Sequence, residues 1–301
     1  VFYMFNFRFL ADKMFLEPTS IVFLGAEDNK KVLANQLVIG VSLGGESKAF
    51  PIEIIGYHHQ VRDIIGKTPV MVTYCTVCRT GRVFSPVVDG REETFRLVGM
   101  DHFNAMFEDS QTKTWWRQVN GEAVVGPLKG KSLEEIPSEQ MSLLQWTYLH
   151  PETKVLQPDS TFKEAYDGMK NYDEGKNKGK LTRKDSLSWK DKSWIVGMQI
   201  GMDARAYDWI ELLKVRTIND QVGDTPVLVA IGPDSVSFHS FSRIIDNDTL
   251  TFNLTEDTKL LKDAKTDSQW DWNGRCISGT LQGILLAPQQ SYQEYWHSWR
   301  T

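Results

Sequence analysis

Two stretches of this chain share one pattern of apolar, glycine and proline positions, and only the first carries a Cys-x-x-Cys motif. Around Gly40 the sequence reads VIGVSLGGESKAFPIEII and then GKTPVMVTYCTVC; around Gly197 it reads IVGMQIGMDARAYDWIELL and then GDTPVLVAIGPDS. Gly40 and Gly197 stand 157 residues apart, as do Pro69 and Pro226. The match resumes at Asn120-Gly121 and Asn273-Gly274 and reaches a late helix, with Trp146 set against Trp296. Where the first stretch has Cys75 and Cys78, the second has Gly232 and Ser235. One scaffold written twice, with chemistry in one copy, is the expectation that follows.

Short alternating runs bounded by Gly, Asp and Pro predict strands in both halves. They fall at 36–43, 48–55, 69–75, 82–88, 93–100 and 114–125, and again near 194–201, 206–213, 226–231, 235–244 and 249–254. Val88-Asp89-Gly90-Arg91 predicts a hairpin, because Asp-Gly accepts the positive φ angles of a tight turn. Residues 138–149 predict a helix with Ser138 as N-cap, and a second helix is expected near 289–299. The expected fold is mainly β: two tandem barrel- or sandwich-like repeats related by internal duplication, with peripheral helices. A lead-in over 1–35 precedes the first repeat at 36–160, a charged connector at 161–193, and a degenerate, structural second repeat at 194–301. Within that connector, residues 170–192 hold eight Lys/Arg against four Asp/Glu, the composition of a solvated segment.

At 301 residues the chain is long enough to bury a large core. A net charge of −5 opposes general nucleic-acid binding, which needs a basic surface to displace counterions from phosphate. The aromatic start, VFYMFNFRFLADKMF, reads as the trimmed edge of a membrane anchor, because Phe and Tyr suit the membrane interface, or as the first strand of a domain. The first of these implies a tether upstream of residue 1 and an extracytoplasmic location. No run of about 20 apolar residues is present to span a bilayer. The sequence carries no signal for an oligomeric state.

Three cysteines cannot build a disulfide framework, but Cys75-Thr76-Val77-Cys78 sets two of them close enough to act together. The motif ends a strand and is followed by Arg79-Thr80-Gly81, a knuckle between strands rather than the helix start of a thioredoxin-type site. Arg79 is placed to lower a thiol pKa. His58, His59 and His102 are near enough in sequence to add imidazole ligands, and thiolates suit copper(I), zinc or iron. Three readings of the pair stand together: a metal site, a redox dithiol, and a buried structural pair. Trp115-Trp116 serves either as a stacking surface or as a core anchor.

The set TPVMVTYCTVCRTGRVF, GMDHFNAMFED and TWWRQVNGEAVVGPLKG resembles the uncharacterised family called domain of unknown function 3179, tightly over residues 38–156 and faintly in the second copy. The family's pattern falls on His59, Cys75, Cys78, Asn104, Asp109, Trp116 and Gln118, with Gly121 and Gly126 after. The resemblance supplies no activity, but it strengthens one constellation: His59, Cys75 and Cys78, with Asn104 and Gln118 as polar neighbours. The leading expectation is a transition-metal protein, redox-active or not, that holds copper, zinc or iron through Cys75, Cys78 and His59 and leaves a position open for a small molecule. Asn104, Gln118, His102, Arg79 and Trp116 then serve as second-sphere or substrate residues. A metal-free thiol–disulfide oxidoreductase and a non-catalytic binding module are the alternatives.

Overall fold

A computed structural model describes residues 10–255 and 260–301. The aromatic residues 1–9 of the lead-in lie outside them. The chain is mainly β, and its sheets are small and open, with no closed barrel among the described residues. It forms two compact units, one of residues 1–138, 143–184 and 300–301, the other of residues 139–142 and 185–299.

In the first unit, Leu37–Leu43 and Glu46–Pro51 form an antiparallel hairpin. Lys154–Leu156 adds to its edge in parallel, and Phe23–Gly25 adds beyond that. The expected strand over 48–55 stops at Pro51, and residues Ile52–His58 are helical. Proline cannot donate a ladder hydrogen bond, and its fixed φ suits the approach to a helix. The β-branched run that suggested a strand instead buries Ile52, Ile54 and Ile55 as a helix face. The helix ends at His59, which adopts the left-handed conformation at φ 61°.

Three antiparallel strands follow: Gln60–Ile65, Thr68–Cys75 and Thr80–Phe84. The Asp89-Gly90 hairpin forms as expected, with φ 47° and 79° at the turn. A four-stranded meander of Phe95–Asp101, Asn104–Asp109, Trp115–Arg117 and Ala123–Val125 packs its apolar face around the cysteines. The expected single strand over 114–125 is thus two strands joined at Asn120-Gly121. Met71, Phe84, Phe95, Phe107 and Trp116 surround Cys75 and Cys78 in one core cluster.

The order strand, strand, helix, three strands, hairpin, meander recurs in the second unit. There Asp203–Asp208 leads into the helix Trp209–Val215, which is capped by the Asp208 carboxylate accepting from Glu211 N–H at 2.9 Å. The expected strand over 206–213 therefore also turns helical midway. Residues 138–149 likewise divide: Glu139–Ser142 is a strand and Leu143–Leu149 a helix, so Ser138 precedes a strand and caps no helix. Near the C-terminus Tyr292–Tyr295 is a strand and only Trp296–Trp299 is helical. A Cβ on Gly40 would lie 2.3 Å from the Trp146 ring, and one on Gly197 would lie 2.3 Å from the ring of Trp299. By this packing the partner of Trp146 is Trp299 rather than Trp296.

Candidate functional site

The cysteine strand is a central strand, so its direction and register are fixed on both sides. Cys75 pairs with Thr80, and residues 76–79 close the connection. Arg79 N–H donates to Cys75 O at 2.7 Å, with Arg79 itself left-handed at φ 60°. The Arg79 side chain is fully buried; its guanidinium donates to Tyr172 O at 3.1 Å and Asp173 O at 2.9 Å, and lies 5.1 Å from the centre of the Tyr172 ring. Tyr172 O–H donates in turn to Thr76 O at 2.8 Å. Tyr172 and Asp173 belong to the charged stretch expected to be solvated, yet both are buried and clamp the cysteine connection. Burial lifts the Asp173 carboxyl to about 7, against the opposing pull of the Leu37 N–H and of the Arg79 charge. The Arg79 guanidinium thus ties the cysteine connection to Tyr172 and Asp173.

Cys75 and Cys78 are joined as a disulfide, with Cα atoms 5.3 Å apart. Cys78 N–H donates to Cys75 Sγ at 3.3 Å. Phe103 O lies 2.9 Å from Cys78 Sγ and 3.5 Å from Cys75 Sγ, and Asn104 Oδ1 lies 3.1 Å from Cys78 Sγ. These oxygens come from the tip of the Phe95–Asp101/Asn104–Asp109 hairpin. Its two-residue turn, His102-Phe103, takes φ 47° and 75° without a glycine. Such a turn matches the strand twist but strains a non-glycine residue. The His102 imidazole points outward, 72% exposed, and pairs with Asp101 at 2.6 Å. The turn therefore meets the sulfurs with its backbone.

His59 is buried beside the same strand. Its Nδ1 lies 2.8 Å from Tyr74 O, and the Phe15 ring meets it edge-on at 4.6 Å. A carbonyl only accepts, so Nδ1 carries the proton and Nε2 holds the lone pair. Burial pushes the His59 pKa down to about 4, so the ring is neutral at physiological pH. His58 is a packing residue: Nδ1 meets Leu16 O, Nε2 meets Tyr166 O–H at 2.6 Å, and the Phe162 ring stands edge-on. Among the described residues no group of three or more His, Cys, Asp and Glu is disposed to hold a metal ion. The expected set of Cys75, Cys78 and His59 is not assembled in this state, because the two sulfurs bond each other and are not thiolates.

Alternation along the cysteine strand sets Thr73 on the face of Cys75. Gln60 and Arg82 pair with Thr73, and Thr80 with Cys75, so all share that face. Gln118 reaches down onto it, donating through Nε2 to Thr73 Oγ1 at 3.0 Å and to Thr80 O at 3.1 Å. Thr73 O–H donates to Arg82 O at 2.9 Å, and the Arg82 guanidinium lies 3.4 Å from Glu135. Trp116 lies in the core, with its indole N–H donated to Asp109 Oδ2 at 3.0 Å, so its ring is not presented to a ligand.

Of the expected site residues, the structure brings Cys75, Cys78, Asn104 and Gln118 to one locus, with His59 bonded to the neighbouring residue Tyr74. Sequence reasoning missed Gln60, Thr73 and Thr80, which two-residue alternation from Cys75 and its cross-strand pairs would have found. It also missed the Phe103 carbonyl, a backbone atom with no side-chain signal.

The second unit meets the same positions differently. Gly232, which takes the ladder position of Cys75, donates its N–H to Ser237 O at 2.8 Å across a connection of equal length. That connection is closed by Asp234, whose carboxylate accepts from Ser237 N–H at 2.9 Å and Val236 N–H at 3.1 Å. Ala230 pairs with His239 where Thr73 pairs with Arg82.

No curated protein and no solved structure matches this chain. A family model described as "Protein of unknown function (DUF3179)" matches residues 20–301, extending through the second half where the sequence signature is faint, and the chain belongs to that family.

Proposed function

We propose that this protein is a redox protein that cycles Cys75 and Cys78 between disulfide and dithiol. One observation carries the reading: the sulfurs are bonded across a connection that the second unit closes at equal length without a covalent bond, through hydrogen bonds of Asp234, Arg216 and the backbone. The covalent bond is thus not the only way this scaffold forms the turn. The reading takes the two units as copies of one scaffold, the second without the chemistry. Cys78 N–H supports negative charge on Cys75 Sγ, and Phe103 O accepts an S–H from Cys78 once the bond opens. The His102-Phe103 turn covers the pair, so access requires that turn to move. A disulfide suits an oxidising, extracytoplasmic compartment.

Reduction in a graded thiol–disulfide buffer, followed by alkylation and mass measurement, tests the reading. The pair is expected to take two labels reversibly while the fold persists. Losing so small a loop lowers stability by only about 2 kcal/mol. If the two thiols appear only as the chain unfolds, the pair is a staple and the proposal fails. Elemental analysis of the reduced protein under anaerobic conditions decides against the metal reading or for it. About one equivalent of copper, zinc or iron, absent from the Cys75→Ser/Cys78→Ser variant, would replace the redox assignment with a metal site.

A further inference from the structure

We propose that the reductant of this disulfide is a low-molecular-mass thiol bearing amide or ammonium N–H groups, held on the polar face that Gln60, Thr80 and Gln118 present beside Cys75. The inference rests on the redox reading above and names its substrate class. Cys75 is 1% exposed and Cys78 0%, so any reductant must enter past the His102-Phe103 turn, and a small thiol needs less displacement of that turn than a partner protein's dithiol.

Gln60 Oε1, Thr80 Oγ1 and Gln118 Oε1 are buried without a hydrogen-bond partner among the described residues. The residues themselves are 3%, 0% and 0% exposed. The amide orientations follow from their partners. Gln60 Nε2 donates to Phe95 O at 2.6 Å and Gln118 Nε2 to Thr80 O at 3.1 Å, and a carbonyl can only accept. Both amide oxygens are therefore left as free acceptors, with the Thr80 hydroxyl between donor and acceptor roles. Each such orphan costs about 1–3 kcal/mol of desolvation unless something meets it. Three of them on the face of Cys75 complement a ligand with two or more N–H donors. The second unit keeps a hydroxyl at the Thr80 position, Ser237, but has Thr217 where Gln60 stands.

In the first exchange the ligand's sulfur bonds to Cys75 Sγ and the Cys75–Cys78 bond breaks. The ligand's thiol proton ends on Cys78 Sγ, whose S–H then donates to Phe103 O. A second thiol molecule attacks the mixed disulfide at the ligand's sulfur, releasing the oxidised ligand dimer and leaving Cys75 as a thiol. Two thiols are oxidised and one disulfide is reduced.

The test compares N-acetylcysteinamide and cysteinylglycine with 2-mercaptoethanol as reductants of the folded protein. Rates are expressed per thiolate and normalised to the same thiols acting on the unfolded chain. The amide-bearing thiols are expected to show saturation and a preference of about tenfold or more, which Gln118→Met and Thr80→Val each collapse. Thr80→Val is nearly isosteric and serves if Gln118→Met does not fold. A normalised preference near one in the wild type overturns the inference, as does a preference that survives both variants; water is then the partner of these atoms. If no thiol reduces the folded protein, the redox reading itself fails, a result distinct from equal rates for all thiols.

Discussion

Trp116 Nε1 donates to Asp109 Oδ2 over 3.0 Å, and Trp270 Nε1 donates to Asp263 Oδ2 over the same distance. The Asp109 carboxylate also accepts from Thr112 N–H and O–H, both at 2.6 Å, and from Thr114 N–H at 3.1 Å. Asp263 gathers the equivalent Thr266 backbone and hydroxyl bonds. A carboxylate with this many donors is the keystone of a turn, and its recurrence in the unit without the Cys-x-x-Cys pair marks it as scaffold. The family pattern that falls on Asp109 and Trp116 is thereby accounted for without chemistry.

Asp109→Asn is expected to destabilise the first unit by about 2–4 kcal/mol, because it replaces charge-assisted acceptance with a group that must also donate. Burial alone would raise the Asp109 pKa, but the bonds from Thr112, Trp116 and the backbone outweigh it and hold the carboxyl below its ordinary value. Its contribution is therefore present above the unfolded pKa and lost as pH falls through the folded one. Urea unfolding of wild type and variant at neutral pH reads the loss. A variant as stable as wild type removes the keystone assignment.

Gly40→Ala tests the close approach of strand and ring. A methyl group 2.3 Å from the Trp146 ring forces the ring or the strand to shift, and overpacking of this kind costs about 1–3 kcal/mol. Gly197→Ala is expected to do the same in the second unit against Trp299. Hydrogen exchange resolves the two: each variant should raise exchange in its own unit first. Unchanged protection in both would mean that the ring relaxes freely.

Strand alternation and the Asp-Gly turn made the cysteine strand, its neighbours and the 88–91 hairpin legible in the sequence, because these depend on local pattern. The helix at Ile52–His58 was not legible: Ile-rich segments fit either period, and only Pro51 favoured the helix. The clamp of Tyr172 and Asp173 on Arg79 joins residues more than 90 apart, and a charged segment gives no sign of which two members turn inward. The site was half legible. Residue types pointed to Cys75, Cys78, His59, Asn104 and Gln118, but whether two cysteines meet a metal or each other depends on the fold of a four-residue connection.

Arg79→Met keeps the length and apolar stem but removes both carbonyl contacts and the charge over Tyr172. Leaving Asp173 O without the guanidinium, and Tyr172 O with the Gly175 N–H but not the charge, is expected to cost about 1–3 kcal/mol in this buried setting. The same change releases the outer brace of the cysteine connection, so alkylation of the reduced pair should speed up well before global unfolding. A stability loss without faster alkylation would separate the clamp from the site.

His59 and Asp173 give opposite pH dependences that nearly cancel in the wild type. His59 has a folded pKa of about 4, depressed from 6.5, so its contribution is full above pH 6.5 and is lost as pH falls toward 4. Asp173 has a folded pKa of about 7, raised from 3.8, so its contribution is full below pH 3.8 and is lost as pH rises through 7. Between those limits one group loses on acidification what the other gains. His59→Gln is expected to make stability rise from pH 7 to pH 4.5 relative to wild type, and Asp173→Asn to make it fall. Urea unfolding at half-unit intervals reads the slopes, and a constant offset from the left-handed backbone at residue 59 does not affect them. Profiles parallel to wild type in both variants would mean that neither group holds its shifted pKa in the fold.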